Sequence, residues 1–348
     1  MITRDSFTEE RIRELQQKSG RDPVLLERAV YAFGLLEALA KVEMPFIFKG
    51  GTCLMLLMES PRRLSTDIDI IVAPDINLDE YLNKASGIFP FQKMEEQKRV
   101  GKNNIVKRHF KFTYDSPINN KPFYILLDVL FEENHYAETV QKEIRNDLLL
   151  TEEDYLKVEI PSADCILADK LTAFAPHTTG IPLGAKKDME VMKQLYDVIS
   201  LLDIFTGCKK VLPTYKAIAE AEIAYRGIEA TPEDCLWDTF DAALCIASRG
   251  KINTTEYPLY VKGIRDLRSH IYNENYTPEI AARRAVKVMY ATMCLLTGNE
   301  YVRVENENIL SSSKITHSSL SALNYLRKVD LVAYSYLVLL DEIMIDRA

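Results

Sequence analysis

The spacing of apolar residues switches between helical and strand periods along the first half of the chain. After Asp22-Pro23, an N-cap followed by a proline at the first helical position, Leu25, Leu26, Ala29, Val30, Phe33 and Leu36 recur on one helix face. This predicts a helix to about Val42, stopped by Pro45. Phe46-Ile47-Phe48 predicts a short strand, Gly50-Gly51 a turn, and Thr52 to Met58 a buried helix ended by Ser60-Pro61. Asp67-Ile68-Asp69-Ile70-Ile71-Val72 predicts a second strand. Positions i and i+2 of a strand share a face, so Asp67 and Asp69 point one way and Ile68, Ile70 and Val72 the other.

Residues 106–114 alternate cleanly, with Val106, Arg108, Phe110, Phe112 and Tyr114 against Lys107, His109, Lys111 and Thr113, as in a half-exposed strand. Phe123 to Phe131 is apolar almost throughout, the pattern of a strand buried on both faces, with Asp128 its one charged residue. From about residue 162 the pattern is almost wholly helical. Ser162 is a candidate N-cap, a helix runs from about Lys187 to Leu202, Thr231-Pro232-Glu233 and Thr277-Pro278-Glu279 open two more, and a last one runs from about Ser318 to Ile343. The expectation is an α+β protein: a small mixed sheet with N-terminal and flanking helices over 1–160, then a helical region over 161–348.

Composition narrows the class without changing this picture. A length of 348 residues suits one large or two ordinary domains, and the 47% apolar and 27% charged fractions are those of a globular protein. No stretch approaches the roughly 18 apolar residues of a membrane span, and no secretory leader is visible. The six cysteines form no CxxC pair, so a zinc site or disulfide framework is not supported. Buried reduced thiols in a cytoplasmic protein are expected. The net charge of -8 argues against a protein that coats nucleic acid with its whole surface, although one basic groove on an acidic body is compatible with it.

Three features combine into chemistry. Gly50-Gly51-Thr52 lies between a predicted strand and a predicted helix, where backbone N–H groups can cradle a phosphate and Thr52 adds a hydroxyl. Asp67 and Asp69 share a strand face, and Asp128 follows on a third strand. Phosphoryl and nucleotidyl transfer depend on positioning and charge neutralisation. Two Mg2+ ions roughly 4 Å apart, held by carboxylates and phosphate oxygens, supply both. Asp67, Asp69 and Asp128 are therefore the candidate metal ligands, with an NTP as the substrate.

The order Gly-Gly, spacer, Asp-x-Asp resembles the polymerase-β-like nucleotidyltransferase superfamily, with 15 residues between Gly51 and Asp67. Lys49-Gly50-Gly51-Thr52, Arg63-Leu64-Ser65-Thr66-Asp67-Ile68-Asp69, Leu167-Ala168-Asp169-Lys170-Leu171 and Tyr196-Asp197-Val198 together resemble the AbiEii/AbiGii toxin family. The resemblance implies that Asp67 and Asp69 hold the metals and that Ser65 sits beside the phosphates. It further implies that Lys170 contacts the triphosphate and that Asp197 completes the site, in a cleft between the two regions. It also implies a bacterial toxin of a toxin–antitoxin or phage-defence pair, with a cognate antitoxin as partner and tRNA as the leading acceptor.

Residues 93–111 hold seven basic side chains, including Lys98, Arg99, Lys102, Lys107 and Arg108, and predict a basic hairpin that suits an RNA backbone. A solvated, edge-protecting strand pair is the competing reading of the same charges. Transfer to a protein or small-molecule hydroxyl, and an inactive module that only binds NTP or an antitoxin, are the alternative functions.

Overall fold

The computed structural model describes residues 1–97, 107–305 and 308–345. These fall into two compact units, residues 1–162 with 269–274, and 163–268 with 275–345.

The first unit opens with α1 (Glu9–Ser19) and α2 (Pro23–Lys41). Each begins on a side-chain cap: Thr8 Oγ1 accepts from the Arg11 N–H, and Asp22 from the Leu25 N–H. The chain continues through β1 (Ile47–Lys49), α3 (Gly50–Met58), β2 (Asp67–Val72), α4 (Leu78–Ala85), β3 (Lys93–Glu96), β4 (Lys107–Ser116), β5 (Lys121–Phe131), β6 (Thr139–Glu143) and β7 (Lys157–Pro161). The seven described strands form one sheet in the order β3-β4-β5-β2-β1-β7-β6. It is mixed: β2 runs parallel to β5 and β1 to β7, while the β1–β2, β3–β4, β4–β5 and β6–β7 pairs are antiparallel.

One face of this sheet carries the core. Ile68 and Ile70 of β2, Phe110, Phe112 and Tyr114 of β4, and Ile125, Leu127 and Val129 of β5 are all buried there. The α2 helix contributes Glu27, which is fully buried. Its carboxylate accepts from the Tyr114 hydroxyl at 2.8 Å, the Ser116 hydroxyl at 2.7 Å and the Ile118 N–H at 3.3 Å. Three donors offset the cost of burying that charge.

The expectation that β5 is buried on both faces is corrected. Its residues alternate, and Tyr124, Leu126, Asp128 and Leu130 remain partly exposed on the second face. The apolar run reflects a sheet interior on one side and a partly open groove wall on the other. Residues 269–274 pack with this unit, because Leu64 N–H donates to the His270 carbonyl and Tyr272 N–H to that of Arg62.

The second unit is built from α5 (Ala163–Ala173), α6 (Asp188–Leu201), α7 (Cys208–Arg226), α8 (Pro232–Ala247), α9 (Tyr257–Leu267), α10 (Pro278–Thr297), α11 (Leu326–Val329) and α12 (Leu331–Ile343). Thr231 and Thr277 cap α8 and α10 as predicted. A Cβ on Gly263 would lie 2.2 Å from the Asp188 carbonyl, so α9 approaches α6 at glycine distance. The single last helix predicted from Ser318 is corrected. That stretch is a 3-10 turn (Ser318–Leu323), then α11, then α12, broken at Asp330, whose extended backbone lets its carboxylate cap α12 at Ala333. All six cysteines are free and buried. Among the described residues, no helix is long and apolar enough to cross a membrane.

Candidate active site

Register brings four side chains of the first unit into one line. Lys49 of β1 is the partner of Asp69 in β2, Asp69 of Asp128 in β5, and Asp128 of His109 in β4. Register partners point to the same side of a sheet, so the row Lys49, Asp69, Asp128, His109 crosses four adjacent strands on one face. A cavity of about 200 Å³ opens there, lined by all four and by Lys107.

Within the row, His109 Nδ1 lies 2.6 Å from Asp128 Oδ1. Asp128 is 36% exposed, so its charge is met by an imidazole and by solvent, and the expectation of a carboxylate sealed inside an apolar strand does not hold. The Lys49 ammonium lies 5.9 Å from the ring centre of Tyr136.

Gly50 and Gly51 form the first turn of α3 rather than a turn ahead of it. Gly50 has φ +83°, and a Cβ there would fall 2.1 Å from Asp69 Oδ2. A Cβ on Gly51 would lie 2.6 Å from Ser65 Oγ and 2.9 Å from Arg63 Nη2. The helix start, Asp69, Ser65 and the buried Arg63 are thus packed at a distance only glycine permits. Thr52 has another task than the one expected of it. It is fully buried, and its hydroxyl donates to the Asp67 carbonyl at 2.7 Å, tying α3 to β2.

Asp67 stands two residues before Asp69, about 6.6 Å along the strand. Its Oδ1 accepts from Arg28 Nη2 at 3.2 Å. The three aspartates share a face without being gathered into a ready-made cluster: among the described residues, no three His, Cys, Asp or Glu side chains come together as a metal-binding group.

In the second unit, Lys170 Nζ and Asp197 Oδ2 form an ion pair of 3.1 Å, with side chains 8% and 0% exposed. Lys170 also donates to Gln194 Oε1 at 3.1 Å. The buried carboxylate of Asp197 thus meets a counter-charge in Lys170. His177 of the same unit is held between Asp238 at 2.7 Å and Glu256 at 2.9 Å. The Asp238 hydrogen bond leads the effects that push its pKa up to about 9.

The basic hairpin exists as the β3–β4 pair, but part of its charge is neutralised. Arg108 is bound by Glu96 and Asp79, each at 2.8 Å, and Lys93 by Glu95 at 2.8 Å. Lys107 remains exposed at the cavity. Lys98, Arg99 and Lys102 lie outside the described residues. His109 and Arg28 are not marked out by the sequence; each becomes visible only through its cross-strand or cross-element partner.

The family model described as "Nucleotidyl transferase AbiEii toxin, Type IV TA system" matches residues 34–285, which include Gly50, Gly51, Asp67, Asp69, Asp128, Lys170 and Asp197. The chain belongs to the AbiEii toxin family. As an AbiEii protein it is an enzyme of the nucleotidyltransferase kind, and the mixed seven-stranded sheet with its helices is consistent with that type of fold. Two solved Helicobacter pylori structures are similar to this AbiEii chain. One is JHP933, 15% identical, covering 78% of this chain and 93% of that one at TM-score 0.44. The other, described provisionally as a nucleotidyltransferase, is 14% identical and covers 78% and 96% at TM-score 0.44. No curated protein matches the sequence.

Proposed function

We propose that this AbiEii protein transfers a nucleoside monophosphate from an NTP to an RNA acceptor, with tRNA favoured, as the toxin of a toxin–antitoxin pair. The observation that carries the reading is the row Lys49, Asp69, Asp128, His109 beside the glycine start of α3. Two carboxylates, the Lys49 ammonium beside them and a helix N-terminus suit a metal-bound triphosphate. The catalytic region is 1–160, and it is followed by the helical region 161–348.

The donor set fits magnesium in kind. Mg2+ prefers hard oxygen ligands and is held by one or two carboxylates, with substrate phosphates and water completing its shell. Asp69 and Asp128 would hold it, with Asp67 joining once its bond to Arg28 yields. When bound, the metal neutralises charge on the phosphates and polarises the attacked phosphorus. The backbone N–H groups of the first turn of α3 receive a phosphate where Gly50 and Gly51 leave space for it. Lys49 and Lys107 balance the negative charge of NTP and acceptor. The acceptor hydroxyl attacks the α-phosphorus as the bond to pyrophosphate breaks, and alignment of the two supplies much of the rate.

Protein incubated with labelled NTPs and total RNA is expected to label RNA, and Asp69→Asn to abolish that labelling. Equal labelling by the variant overturns the assignment. Labelled protein with RNA untouched would redirect it to a protein hydroxyl.

A further inference from the structure

We propose that His109 is a positioning residue for a divalent-cation site on Asp128, an inference that rests on the metal-dependent reading above. The bond is short and well placed: Nδ1 to Oδ1 is 2.6 Å, between residues directly opposite one another in the β4–β5 register. With the Asp128 carboxylate ionised, Oδ1 accepts from Nδ1–H. One carboxylate oxygen is engaged and the other is left for a ligand. Carboxylates that bind metals are characteristically oriented by such an outer hydrogen bond.

Holding the sheet together does not require this bond. Register pairing of β4 with β5 runs from Lys107–Leu130 to Ser116–Lys121, and Phe110, Phe112, Tyr114, Ile125, Leu127 and Val129 pack on the opposite, buried face. The histidine instead lies on the cavity face, 16% exposed, beside Asp128 and one strand further from Asp69. A donor there holds the Asp128 carboxylate in one rotamer and spares a bound cation the cost of ordering it.

The test measures binding of Mn2+ alone to the full chain by electron paramagnetic resonance, with thermal unfolding in parallel, for wild type, His109→Ala, His109→Asn and Asp69→Asn. Removing an outer-sphere donor weakens metal affinity by about tenfold or more, so His109→Ala is expected to lose that much. His109→Asn keeps an N–H donor and is expected to bind Mn2+ more tightly than His109→Ala does. Wild-type affinity in His109→Ala overturns the proposal, and so does an Asn variant as weak as the Ala variant, or a wild-type chain that takes up no Mn2+. Should His109→Ala fail to fold, His109→Phe replaces it, and failure of both makes the histidine a structural brace and overturns the proposal. Absence of nucleotide transfer by wild-type protein would defeat the functional reading while leaving the Mn2+ comparison decisive for His109.

Discussion

Gly50 and Asp69 are in contact so close that a single methyl group between them would sit 2.1 Å from a carboxylate oxygen. Gly50→Ala therefore has to move Asp69 or the start of α3, and it also places an L-residue at φ +83°. The backbone strain costs about 1–2 kcal/mol. A displacement of about 1 Å at a reacting centre lowers rate about 100-fold. Nucleotide incorporation is expected to fall by about that factor, with only a modest drop in melting temperature; unchanged incorporation would separate the glycine from the reaction.

The Lys170–Asp197 pair is buried on both sides. Removing one partner strands the other charge, at a cost of about 3–5 kcal/mol. Lys170→Met and Asp197→Leu are each expected to lower stability by that amount in denaturant unfolding, while the double variant recovers much of the loss. Single variants as stable as wild type would show that the pair contributes nothing to the helical unit.

Lys107 and Arg108 are neighbours with opposite expected behaviour. Lys107 is exposed at the cavity, whereas Arg108 is committed to Glu96 and Asp79. If RNA follows this hairpin, Lys107→Ala is expected to weaken RNA binding and reduce the slope of log affinity against log salt by about 1. Arg108→Ala is expected to leave that slope unchanged. A filter-binding titration over several salt concentrations measures both, and equal slopes in wild type and Lys107→Ala would remove the lysine from the RNA path.

His177 gives the helical unit a pH-dependent tie. Hydrogen bonding and charge from Asp238, then Glu256, raise its pKa from 6.5 to about 9 against the opposing effect of burial. A raised histidine pKa means that the folded state binds the proton more tightly. The stabilisation is full below about pH 6.5 and is lost as pH rises through 9. Melting temperature is expected to fall over that window in wild type more than in His177→Gln; parallel profiles would discount the tie.

What the sequence disclosed follows the range of the forces involved. The strand at Asp67–Val72 and the caps at Asp22, Thr231 and Thr277 depend on residues two to four apart, and these were legible. His109 and Asp128 are 19 positions apart and meet only through the β4–β5 register, and Arg28 reaches Asp67 from another element. Neither pairing leaves a local trace. The apolar run at Phe123–Phe131 misled because a single strand cannot reveal that one of its faces borders a cavity. The break at Asp330 is a cap interrupting a helical period, a competition between side chain and backbone that periodicity alone does not resolve.

The line from Lys49 to His109 crosses β1, β2, β5 and β4, each with a hydrogen-bonded neighbour on both sides. Its span is roughly 14 Å, three interstrand steps. Strands have a reading frame, since one inserted residue turns every later side chain to the opposite face. The intervening loops can therefore lengthen or drift freely, while a one-residue insertion inside β2 or β5 would erase the line at a stroke, exchanging Asp69 or Asp128 for an aliphatic neighbour.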